Sequence, residues 1–226
     1  MALLPRRLRF GAALAVTRLL RRPVWLLRRN VRGIWLSGSY DETLRILLRS
    51  MIVSGVPFDP HPELDLPTGF VDDLRRSGGM LVTGHFILNT LITRYLHDHG
   101  FAPVPVKTYP ELDPCVWGTN VPVEVIKPSR NVLVQLRSRL AAKRPVILAL
   151  DSDYPGPNST PVETPAGTYY VSPAALELAR RIDVPVWFAC VRAQRDGPPL
   201  FFAKRIEPEL AAYISVLEEQ TRAVEP

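Results

Sequence analysis

Pro145-Val146-Ile147-Leu148-Ala149-Leu150 is six residues long and carries no polar side chain. A strand with one wet face alternates apolar and polar residues. An unbroken apolar run instead fits a strand covered on both faces, the setting of a parallel sheet between helices. Residues 80–83, polar only at the closing Thr83, and residues 103–106 and 185–191 are of the same kind. Between these runs the apolar residues change to helical spacing: Ile87, Leu88, Leu91, Ile92 and Tyr95, then Val132, Leu133, Leu136 and Leu140. Strands alternating with helices predict a single α/β domain, a largely parallel sheet flanked by helices. The 226 residues suffice for one substantial core, and the hydrophobic share of 46% excludes a disordered chain.

The remaining elements follow from punctuation. Asp41 and Glu42 open a helix over 41–55 that Gly55 closes, and residues 57–67 read as a proline-broken loop. A helix is predicted over 70–76 and another over 131–142, with a short strand at 123–126 before the second. Residues 151–157 read as a loop and 165–168 as a turn. Ser172 is the expected N-cap with Pro173 at the first helical position, for a helix to about Arg181. Asp196-Gly197 marks a turn into a hairpin strand from Leu200, and residues 209–223 form a terminal helix. Residues 1–40 separate as a basic segment, and residues 41–226 as the α/β domain.

Charge is concentrated at one end. The net charge is +6, yet the first fifty residues hold eleven arginines against Asp41 and Glu42, a local +9 that leaves about −3 for the rest. The run Phe10 to Val16 is too short to span a bilayer, which needs about 20 apolar residues. A basic amphipathic helix lying on an anionic membrane surface fits the alternating apolar and arginine blocks better than a cleaved leader. No nucleic-acid-binding module accompanies the charge, so nucleic acid is not an expected partner. Cys115 and Cys190 have neither metal nor redox spacing.

Chemistry-bearing residues gather at predicted strand ends. Residues 78–90 read as strand, glycine turn and helix, with Gly84 permitting a sharp bend and His85 just after it. A neutral imidazole there can take a proton from a hydroxyl or amine that attacks a carbonyl. Asn89, four residues on, can share its helix face and accept the ring N–H. Asp151 and Asp153 follow the 145–150 strand two residues apart, spaced either to engage a divalent ion or to brace a turn. His97-Asp98-His99-Gly100 has the composition of a metal cluster but the position of a helix C-terminus, so no metal site is assigned to it. No Gly-x-Ser-x-Gly elbow, phosphate loop or dinucleotide fingerprint occurs.

Taken together, Gly84-His85-Phe86, the helix and strand over 130–150, and Asp151-Ser152-Asp153-Tyr154-Pro155-Gly156-Pro157 resemble the bacterial lipid A lauroyl/myristoyl acyltransferases. These belong to the lysophospholipid acyltransferase superfamily. Arg28-Arg29-Asn30-Val31 and residues 165–185 extend the similarity, which covers about residues 25–206. The resemblance implies a peripheral membrane enzyme that moves a fatty acyl group from acyl carrier protein or acyl-coenzyme A to a lipid acceptor, without a cofactor. It implies His85 as general base, Asn89 or Thr90 as its orienting partner, and Arg130, Asp151 and Asp153 as substrate-binding residues. The sequence departs from the family at one position: where the pattern His, four residues, Asp or Glu calls for a carboxylate, Thr90 stands. A protein that keeps the fold but binds an acyl chain, carrier or partner enzyme without turnover is the alternative.

Overall fold

A computed structural model describes residues 63–84, 86, 89–107, 121–152, 155–156, 158–164, 167–192 and 200–222. The basic segment 1–40 and the helix expected over 41–55 lie outside these residues.

Six strands form the main sheet. In chain order they are β1 (Glu63–Asp65), β2 (Gly79–Thr83), β3 (Val104–Pro105), β4 (Pro145–Ala149), β8 (Val186–Arg192) and β9 (Leu200–Ile206). Their spatial order is β1-β9-β8-β2-β4-β3. The four strands β8, β2, β4 and β3 run parallel. The hairpin partner β9 is antiparallel to β8, and β1 lies parallel to β9 at the edge. A second sheet holds β5 (Asp151–Ser152), β6 (Thr160–Thr164) and β7 (Gly167–Val171), all antiparallel, in the order β5-β7-β6.

The pleat sorts the apolar runs onto two faces. Leu81, Ile147, Trp187, Ala189 and Phe201 pack on one side with α1 (Phe70–Ser77) and α2 (Thr90–Asp98). Met80, Val82, Val146, Leu148, Phe188 and Cys190 pack on the other with α3 (Val132–Ala141), α4 (Ala174–Arg181) and α5 (Leu210–Arg222). This is why the runs at 80–82 and 145–149 lack polar residues: both faces are dry. The expected α/β architecture is therefore present, as three layers. Among the described residues no helix is long and apolar enough to cross a membrane.

Several local expectations need correction. Residues 63–65 form strand β1 inside the stretch read as loop. All three are exposed, so no apolar alternation marks them, and pairing with Leu200 to Phe202 supplies the strand. Asp151 and Ser152 continue from β4 into β5, held by pairing with Val171 and Tyr170. The stretch 160–171 is a hairpin rather than a turn alone, and Thr168, Tyr169, Tyr170 and Val171 are the β-formers that marked it. Pro173 is itself the N-cap of α4, one residue later than expected, and makes no side-chain cap bond. Residues 123–126 contribute one bridge, Ile126 to Val106. The helix after the Gly84 turn begins at Thr90, with Asn89 as its N-cap.

Candidate functional site at the carboxyl ends of the parallel strands

The connection from β2 through α2 passes over one face to β3, beyond β4. The connection from β4 through α4 passes over the opposite face to β8, beyond β2. Chains that leave in opposite directions open a crevice between the carboxyl ends of β2 and β4, the usual place for a ligand in an open α/β sheet.

The floor of that crevice is a knot of hydrogen bonds around Thr83 and Gly84. The Thr83 carbonyl accepts from the Leu150 N–H at 3.1 Å and from the Tyr213 hydroxyl at 2.9 Å. The Asn89 amide donates to Thr83 Oγ1 at 2.7 Å and to the Gly84 carbonyl at 2.6 Å. Its Oδ1 accepts from the Val191 N–H at 3.1 Å, 102 residues away in sequence. One side chain thus ties the end of β2 to the end of β8. Ser172 N–H donates to the Leu150 carbonyl at 3.1 Å and joins the smaller sheet to the same node.

Gly84 is required for space. A Cβ there would stand 2.7 Å from a Leu217 methyl and 3.1 Å from the Phe86 ring, and its φ is outside the left-handed region. The expected sharp bend is therefore a close approach of α5 to the backbone. Phe86 is buried and meets Phe188 edge-on, with centroids 6.4 Å apart.

Electrostatics at this end come from buried groups. Asp151 is 3% exposed. Burial pushes the Tyr213 hydroxyl well above the ordinary tyrosine range; the nearby Asp151 carboxylate adds to the rise, and a hydrogen bond from the Leu150 backbone opposes it. Tyr213 therefore stays protonated and acts as a donor. Lys107, just past β3, is half-buried, and desolvation lowers its ammonium pKa. Gln220, one turn beyond Leu217, is buried as well, and its Oε1 accepts no hydrogen bond among the described residues.

The residues singled out from sequence divide as follows. Asn89 and Asp151 come to this end of the sheet. Thr90 is the first residue of α2. Arg130 is exposed in the turn that enters α3. His85 and Asp153 lie outside the described residues. His97 and His99 occupy the C-terminus of α2 as expected; His99 is its C-cap, and its ring Nδ1 lies 2.8 Å from the Tyr95 carbonyl.

Thr83, Tyr213, Lys107 and Gln220 were not singled out by sequence reasoning. Thr83 carried a usable signal, a polar residue closing an apolar strand. Tyr213 carried none, since it meets Thr83 across 130 residues. Neither a scan of protein-family models nor a search of curated proteins returns a match to this chain.

Proposed function

We propose that this chain is a peripheral acyltransferase, moving a fatty acyl group from acyl carrier protein or acyl-coenzyme A to a hydroxyl or amine of a lipid acceptor. The observation that carries the reading is where the chain leaves β2. Gly84 is wedged against α5 at the divergence of two crossovers, and the Gly-His-Phe sequence of the resembled family continues from that point. In this reading His85 removes the acceptor proton while the acceptor oxygen or nitrogen attacks the thioester carbonyl. The carbon–sulfur bond then breaks, and the proton passes to the departing thiolate. The arginine-rich N-terminal segment holds the enzyme on anionic lipid at the cytoplasmic face of the inner membrane.

One observation favours the second reading, a binding protein that lacks turnover. The Asn89 amide is engaged at both ends by Thr83, Gly84 and Val191, and Thr90 supplies no carboxylate. In a serine-protease triad the change from Asp to Asn at the orienting position costs about 10⁴ in turnover.

Acyl transfer from labelled acyl carrier protein and acyl-coenzyme A to a lipid extract decides between them, with wild type beside His85→Ala and Thr90→Glu. The enzyme reading expects transfer by wild type that falls to background in His85→Ala. No transfer by wild type, with a gain in Thr90→Glu, sinks it in favour of the binding protein.

A further inference from the structure

The helix α3 has two unlike faces. Leu136 and Leu140 are buried against β4, at 1% and 2% exposure. On the opposite side Val134 is 68% exposed and Leu133, at its flank, 37%. Arg130, in the turn ahead of the helix, and Arg137 stand four residues before and three after Val134, and both are exposed. Neither has an ion-pair partner among the described residues. The contrast within the helix is sharp: Arg139 and the following Arg144 are both engaged by Glu124. Surface aliphatics occurring singly are ordinary. Two adjacent ones between uncompensated guanidinium groups form a pattern.

The position of this face matters. In a parallel β-α-β connection the helix runs antiparallel to the strands, so the N-terminal end of α3 stands at their carboxyl ends. The opposite end agrees with this, because Arg144 Nε donates to the carbonyl of Ala102, just ahead of β3, at 3.1 Å. Arg130, Leu133 and Val134 therefore stand toward the carboxyl ends of the strands.

We infer that this outer face of α3 rests on an anionic lipid surface, with Val134 and Leu133 entering the headgroup layer and Arg130 and Arg137 pairing with lipid phosphates. It rests on the acyltransferase reading for what the contact delivers to the crevice, but the contact itself requires no turnover. The chemistry favours lipid over an acidic protein. A headgroup layer accepts short aliphatic side chains flanked by arginines without shape matching. A specific protein partner needs about 800 Å² of complementary surface on each side, more than one helix face supplies.

The test is co-sedimentation of the full chain with phosphatidylglycerol-containing vesicles and with pure phosphatidylcholine vesicles. Arg130→Gln and Arg137→Gln are each expected to weaken binding to the anionic vesicles about fivefold. Leu133→Ser with Val134→Ser is expected to weaken it about tenfold. Arg181→Gln, which removes the same charge from the far end of α4, is expected to do less. Thermal melts of each variant check that the fold is kept, and the arginine changes stand alone if the serine pair unfolds. Vesicle binding equal to wild type in all three would overturn the inference. So would unchanged vesicle binding with lost binding to purified acidic acyl carrier protein. Because the assay reads binding, its failure is distinct from an absence of acyl transfer.

Discussion

The two ends of the parallel sheet are built differently. At the carboxyl ends, Thr83 and Asp151 are buried at 4% and 3% exposure, and the Asn89 side chain and Tyr213 hydroxyl are spent on backbone groups of other elements. At the amino ends the charged groups face solvent. Glu124 meets Arg139 and Arg144 there. An open cleft of about 520 Å³ is bordered by Asp73, Arg180, Asp183, Arg205 and Glu207. Close approach at the amino end is a matter of backbone: a Cβ on Gly78, whose φ is 68°, would stand 2.8 Å from the backbone carbon of Lys143. Exposed ion pairs exchange readily with water and contribute little. Buried polar groups that lose a partner carry the full desolvation cost. Buried polar groups that tie separate elements together are thus concentrated at the carboxyl ends.

The largest break in this contrast is expected from Asn89→Ala. It removes the donor to Thr83 and Gly84 and strands the Val191 N–H at once. The expected loss is about 3 kcal/mol, read from urea unfolding. A loss under about 1 kcal/mol would show that water replaces the amide, and that the carboxyl end is no more rigid than the amino end.

Tyr213→Phe probes the same node through one bond and is expected to cost about 1 kcal/mol at neutral pH. Its dependence on pH carries a sign. The folded hydroxyl titrates above the unfolded one, so its contribution is complete below the unfolded value, near pH 10, and is lost as pH rises toward the folded value. The gap between wild type and variant should therefore close in alkali. A gap that stays constant to pH 11 would mean the hydroxyl is not held in a buried, charge-averse setting.

The layers of this fold were legible because burial on both faces leaves a local trace, the unbroken apolar run. Pro145 to Ala149 and Gly79 to Thr83 could be read as neighbours in kind, and they pair in register. The edge strand β1 was not legible, since Glu63-Leu64-Asp65 has no pattern of its own and is made a strand by Leu200 to Phe202. The hairpin of β6 and β7 leaves its trace in Thr168 to Val171, whereas Pro165-Ala166-Gly167 signals only the turn. At the site, Asn89 was noticed for its spacing from His85, whereas its three bonds run to Thr83, Gly84 and Val191. The contact to Val191 is set by the order of strands, which no four-residue spacing encodes. In sequence Gly84 signals a sharp bend, and only the path of α5 gives it a steric role.

Glu124→Gln addresses the amino end and should have the smallest effect of the three. Hydrogen bonds from Arg139 and then Arg144 hold the Glu124 carboxyl below its ordinary range. A depressed carboxylate contributes above its unfolded pKa and loses that contribution as pH falls through the folded one. Wild type and variant should thus differ slightly at pH 7 and converge in acid below about pH 4. The carboxylate is 36% exposed, so added salt should erase most of the difference as well. A loss larger than that of Tyr213→Phe, insensitive to salt, would place a second rigid node at the opposite end. The contrast between the ends would then fail, because the clamp between α3 and β4 would be as costly to open as the knot around Thr83.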